Sequence, residues 1–157
     1  MAKYFLESSA FVKRYKKEKG SDFVNNLFIE GHDLFYLNFA IVEVRKVFYR
    51  LYLWSQNLEG DIQITEEEFQ KLESEFATDL LKMHKIDFTN EMIERTTAIL
   101  KKIWLKSVFD LAQLSSFLIA KEVYPDLIFI CSEKSKLIKA ARVFVNPTDI
   151  KIPEYEN

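Results

Sequence analysis

Along the 157-residue chain, short continuous apolar runs alternate with longer segments in which apolar residues recur every three or four positions. The first pattern fits strands buried on both faces and the second fits amphipathic helices. Lys3–Leu6 reads as a strand that ends at Glu7, with Ser8-Ser9 as the cap of a helix over 10–19 that Gly20 stops. Ser21 opens a second helix through Phe23, Val24, Leu27 and Phe28, closed by Gly31. Residues 34–37 form the next strand, followed by a helix over 39–56 and a loop over 57–61. Thr65-Glu66-Glu67-Glu68 has the form of a capping box and predicts a helix to about residue 83, with a short strand at 86–88. Thr89 or Asn90 caps a helix reaching Ile103, and Ser107 starts another that runs to about Val123, where Pro125 ends it. Residues 127–131 carry the most continuous strand signal, 134–142 a helix and 143–145 a last strand, leaving 151–157 as a frayed tail.

Apolar strands separated by helices mean β-α units and a mostly parallel sheet covered on both sides. The expectation is an α/β fold: a three-layer α/β/α sandwich on a short-stranded sheet, one domain over 1–150 and a tail over 151–157. Composition agrees. Gly and Pro together are 6 of 157 residues, about 4%, against roughly 12% in average usage, which argues for helices and against a sheet-only sandwich or barrel. With 48% hydrophobic and 29% charged residues, the chain is not of the disordered class.

Charge changes the picture only when resolved along the chain. The net −2 divides into +3 over 1–50, −7 over 51–100 and +2 over 101–157, so the outer thirds are mildly basic around an acidic middle. The longest apolar stretches, 34–42 and 47–54, are interrupted by Asn38 and Arg50 and fall well short of the ~20 residues a membrane span needs. The start has only a three-residue apolar stretch before Glu7, so no secretory signal is expected. With Cys131 alone there is no internal disulfide, and the expected location is the cytoplasm. No Gly-rich phosphate loop is present, which disfavours an NTPase or dinucleotide enzyme. His32 and His84 have no acid or Cys at motif spacing, and Cys131 in its apolar strand reads as a packing residue.

The informative chemistry is in four carboxylates. Glu7 directly follows the first strand and Glu133 follows 128–131 after only Ser132, so in a parallel sheet both face the edge where α/β folds bind ligands. Glu43 lies in the apolar stripe of Ala40, Val47 and Leu51, and Asp110 precedes Leu114, Phe117 and Leu118 at helical spacing. A buried carboxylate requires a cation, a donor or a metal. Each acid also has a purely structural alternative. Glu43 could pair with Arg14 or Arg45, Asp110 could complete a cap with Ser107, and Glu7 and Glu133 could simply end strands or favour a helix dipole.

Taken in order, the four segments resemble the PIN-domain family, in particular the VapC-type toxin ribonucleases. The resemblance rests on 4–13 (Tyr4-Phe5-Leu6-Glu7-Ser8-Ser9), on Phe39-Ala40-Ile41-Val42-Glu43-Val44, on Phe109-Asp110-Leu111-Ala112-Gln113-Leu114, and on Phe129-Ile130-Cys131-Ser132-Glu133 with Val145-Asn146-Pro147. It implies a PIN-like sandwich and a metal-dependent endoribonuclease in which Glu7, Glu43 and Asp110 hold Mg²⁺ or Mn²⁺ and Glu133 is a fourth ligand through water. Oxygen ligands without His or Cys suit those ions. Ser8 would orient Glu7 or a metal-bound water, or only cap a helix. Lys13, Arg14, Arg45, Lys134 and Lys136 are the candidate RNA contacts. A homodimer and an inhibitory antitoxin are implied by the resemblance alone, and the acidic region 59–94 would face away from RNA. Where the family usually has Asp, this chain has Glu7 and Glu133. That departure motivates a second reading, a degenerate PIN domain that binds RNA or a protein without efficient catalysis.

Overall fold

The computed structural model describes residues 1–55 and 62–156. The predicted loop 57–61 and the last residue of the helix predicted over 39–56 lie outside them. Five parallel strands, β1 (Lys3–Leu6), β2 (Asp33–Leu37), β3 (His84–Ile86), β4 (Ile128–Ile130) and β5 (Ile150–Lys151), form one sheet in the order β3-β2-β1-β4-β5. The helices are α1 (Ser8–Phe11), α2 (Ser21–Ile29), α3 (Ala40–Tyr49), α4 (Glu66–Leu80), α5 (Asn90–Ile99), α6 (Val108–Val123) and α7 (Leu137–Ala141). The expected α/β/α sandwich is the observed fold.

Its layers follow from alternation along the strands, because successive side chains point to opposite faces. Phe5, Phe35, Leu37, Phe129 and Cys131 pack with α5, α6 and α7, whereas Tyr4, Leu6, Leu34, Tyr36 and Ile130 pack with α1 to α4. Both faces are covered, so the strands read as unbroken apolar runs. The register Phe5↔Phe35 and Phe5↔Phe129 aligns three aromatics across the sheet. Phe117 of α6 closes on two of them, stacking on Phe129 at 4.7 Å and meeting Phe5 edge-on at 5.9 Å.

Side-chain caps set several helix starts where they were expected. Thr65 and Glu68 form the reciprocal capping box of α4, Thr89 accepts from the Met92 amide, and Ser107 accepts from the Asp110 amide. Other boundaries differ. The first helix stops after α1 and a 3-10 turn at Val12–Arg14, and its cap is the Glu7 carboxylate, which accepts from Ser9 N at 3.0 Å, not Ser8 or Ser9. The α3 helix continues as a π-helical turn at Arg50–Trp54. Strand β3 lies two residues before the expected 86–88, α5 ends at Ile99 instead of Ile103, and the helix expected over 134–142 is the shorter α7.

The C-terminal part differs most. Residues 143–145 are not a strand, because their amides are used by α7: Val143 N donates to Ala140 O, and Phe144 N and Val145 N donate to Ala141 O. The fifth strand comes later, from Ile150–Lys151 beside Phe129 and Ile130. Nor is 151–157 a frayed tail over its described part. Pro153–Tyr155 is a 3-10 turn with Pro153 and Glu154 buried, seated so close to Gly20 that a Cβ there would lie 2.8 Å from Pro153.

Candidate active site

The chain leaves β1 for β2 and β3 on one side of the sheet, while β4 and β5 lie on the other. The order therefore reverses between β1 and β4, and the crevice beyond their carboxyl ends is where open α/β sheets bind ligands. Glu7 stands at that point, its amide donating to Ile130 O at 3.0 Å. Its side chain is 4% exposed. Ser9 fixes the carboxylate: both its amide and its hydroxyl donate to Glu7 Oε2, and the hydroxyl oxygen accepts from Ser132 N at 3.1 Å. One serine thus joins the ends of the two central strands.

Glu43, in the first turn of α3, pairs with neither Arg14 nor Arg45. Its Oε2 accepts from Ser8 Oγ and, at 3.0 Å, from Gln113 Nε2, which also lies 2.6 Å from Ser8 Oγ. Gln113 is fully buried in α6 and, among the described residues, its Oε1 has no partner. Asp110, one turn earlier on α6, lines a cleft of about 550 Å³ with Glu7, Ser9, Lys106, Lys134 and Lys136.

Burial pushes the Glu7 carboxyl up to about 7; the Ser9 hydrogen bonds oppose the rise and the Glu43 and Asp110 carboxylates add to it. Acids on α3 and α6 therefore act on Glu7. Burial also raises the Asp110 carboxyl, against the pull of Lys136. Among the described residues, no cationic side chain lies within ion-pair distance of Glu7, and no group of three His, Cys, Asp or Glu is drawn together closely enough to hold a metal ion as it stands.

Several expected roles are corrected by placement. Glu133 is not among the residues lining that cleft: it lies beside the C-terminal turn, its amide donating to Glu154 Oε2 at 3.1 Å. Ser8 serves Glu43, and it is Ser9 that orients Glu7. Lys13 cannot meet RNA, since it is 4% exposed with its ammonium 2.8 Å from both Glu154 and Glu18. Arg14 is bound to Asp79 and Asn25, and Arg45 to Glu73, on the face covered by α4. Lys134 and Lys136 do border the cleft. Burial pushes the Cys131 thiol up, in keeping with packing alone.

Lys106, Ser9, Gln113 and Glu154 were not singled out from sequence. Gln113 had a usable signal, a lone amide within the apolar stretch of α6. Lys106 had none, because its place depends on where the α5–α6 connection crosses the crevice. No helix among the described residues is long and apolar enough to cross a membrane. Compared with known proteins, the chain matches no family model and no curated protein.

Proposed function

We propose that this protein is a PIN-type, metal-dependent endoribonuclease acting in the cytoplasm. The observation that carries the reading is that Glu7 and Asp110 line one cleft at the β1/β4 crevice with Lys106, Lys134 and Lys136, while Glu43, held by Ser8 beside Glu7, adds its charge to theirs. The donor set fits Mg²⁺ or Mn²⁺: it is all oxygen, its central carboxylate is buried, and two further acids repel it with no cation in contact. Glu7 and Asp110 would hold the ion, with Glu43 as the third acid.

A divalent ion bound there would lower the pKa of a water and offset charge on the leaving oxygen. The chain's own residues do the rest. Lys106, Lys134 and Lys136 bind the phosphodiester and draw its strand along the rim. Ser9 fixes Glu7, and Ser8 with Gln113 fixes Glu43, so the acids need little rearrangement on binding. Hydrolysis adds the water oxygen to phosphorus, breaks one P–O bond and leaves the proton on the departing hydroxyl. The likeness to toxin ribonucleases extends the proposal to a homodimer and an antitoxin partner.

One observation favours a second reading, a PIN-like module that binds without cleaving: among the described residues no three acids stand close enough together to hold a metal ion as they are. Calorimetric titration with Mn²⁺ and an RNA cleavage assay, each repeated on Asp110→Asn, separate the two. Metal-dependent cleavage lost in the variant supports the nuclease. Neither binding heat nor cleavage supports the module.

A further inference from the structure

Beside the cleft of Glu7 and Asp110 lies a second one of about 710 Å³, and the two share Lys106 and Lys136. Lys102, Trp104 and Lys139 complete its polar and aromatic lining. Trp104 sits in the connection between α5 and α6, where Ile103 and Leu105 pack into the core on either side of it. The indole is thereby turned outward, 82% exposed, on a segment anchored at both neighbours.

A lone exposed aromatic is ordinary. The surroundings distinguish this one. Among the described residues, Lys106, Lys136 and Lys139 form no ion pair within 4 Å, and Lys102 lies over the Phe144 ring, its ammonium 5.6 Å from the centroid. Unpaired lysines beside an anchored, outward aromatic ring are the components of a single-strand platform, in which cations track phosphates and the ring stacks a base. An acidic peptide would satisfy the lysines and leave the ring unused. A duplex would bring phosphates, but its bases are already stacked on each other.

We infer that Trp104, with Lys102, Lys106, Lys136 and Lys139, forms a stacking subsite for an unpaired nucleotide flanking the phosphodiester held at the Glu7–Asp110 cleft. The substrate is therefore single-stranded at this position. The choice of RNA as the strand rests on the nuclease reading; the stacking subsite itself does not.

The test uses the Trp54→Phe protein without divalent ions, so that Trp104 is the only indole and nothing is cleaved. A single-stranded RNA ten-mer of mixed sequence is expected to quench its emission. By polarisation of the labelled ten-mer, Trp104→Ala weakens binding about tenfold and Trp104→Tyr restores most of it. Removing Lys102 and Lys139 together lowers the log–log salt slope by about 1.4. The blunt duplex and a deca-glutamate peptide bind at least about tenfold more weakly. No binding, unchanged emission, unchanged affinity in Trp104→Ala, or equal binding of duplex or peptide overturns the inference. If the ten-mer binds through Trp104 yet Mn²⁺ yields no cleavage, the nuclease reading fails and the subsite stands. If cleavage proceeds and Trp104→Ala alters neither kcat nor KM, the subsite fails and the nuclease reading stands.

Discussion

Gln113 Nε2 donates to Glu43 Oε2 at 3.0 Å, linking α6 to α3 across the crevice. The amide is fully buried, so what it donates to is not replaced by water. Gln113→Glu would set a new carboxylate against Glu43. It is expected to cost about 2–3 kcal/mol at pH 7 and less at pH 4, where the added acid is protonated. Urea midpoints at the two pH values check this, and equal midpoints for variant and parent at pH 7 would contradict it.

Glu7 sits at about 7 against an ordinary 4.5. An acid raised in the folded state means that, between these values, the native protein keeps a proton the unfolded chain has released. The contribution of Glu7 to stability is therefore greatest below about pH 4.5 and declines as pH rises to about 7, by about 3 kcal/mol in all. Glu7→Gln is expected to be more stable than the parent by that order at pH 8, with no advantage at pH 4. Parallel pH–stability curves for the two proteins would contradict the raised value.

A divalent ion at Glu7 would offset both the burial of its charge and the lesser repulsion from Glu43 and Asp110. Under the nuclease reading, Mn²⁺ at about 100 times its Kd stabilises the parent at pH 8 by about 2.7 kcal/mol, and stabilises Glu7→Gln far less. Thermal melts with and without the ion give the comparison. Equal shifts in both proteins would move the metal away from Glu7.

Lys13 and Glu154 form a buried pair, and Glu154 also accepts from Ser132 Oγ. Burial pulls the Lys13 ammonium down, but its bonds to Glu154 and Glu18 outweigh this and leave it raised. Glu154→Ala leaves that charge to Glu18 and the Lys19 carbonyl and frees Ser132 Oγ, and is expected to cost about 1–3 kcal/mol. Lys13→Met combined with Glu154→Leu should cost less than the sum of the single changes. Strict additivity in the double-mutant cycle would show that the two are not coupled.

Gly20 and Gly31 both have positive φ, 89° and 70°, but only Gly20 faces a neighbour, with Pro153 2.8 Å from the place of a Cβ. Gly31→Ala is expected to cost about 1 kcal/mol from backbone conformation alone. Gly20→Ala adds displacement of the C-terminal turn and is expected to cost at least twice as much. Equal losses in chemical denaturation would mean that the turn yields freely.

Much of the fold was legible because its signals are local. Thr65, Thr89 and Ser107 cap where their hydroxyls meet amides three residues on, and β1, β2 and β4 are apolar because both sheet faces are covered. The fifth strand was not legible: Val143-Phe144-Val145 has the better strand composition, yet α7 takes its amides. Within the site, Glu7, Glu43 and Asp110 were recognisable as acids in apolar surroundings. Glu133 looked equivalent and lies outside the cleft, its amide held by Glu154.

The sequence by itself determined the alternation of strands and helices, the parallel three-layer plan and the two acids, Glu7 and Asp110, that line the cleft, because periodicity, capping and the cost of burying charge act within a few residues. Tertiary structure alone decided that Lys13 is an internal counter-ion, that Ser9 and Gln113 fix the acids, that Pro153 and Glu154 are buried by the C-terminal turn, that Lys106 borders the cleft of Glu7 and Asp110, and that Trp104 borders the one beside it. Those outcomes depend on which distant segment lies alongside, and a charged or aromatic side chain takes its role from that neighbour.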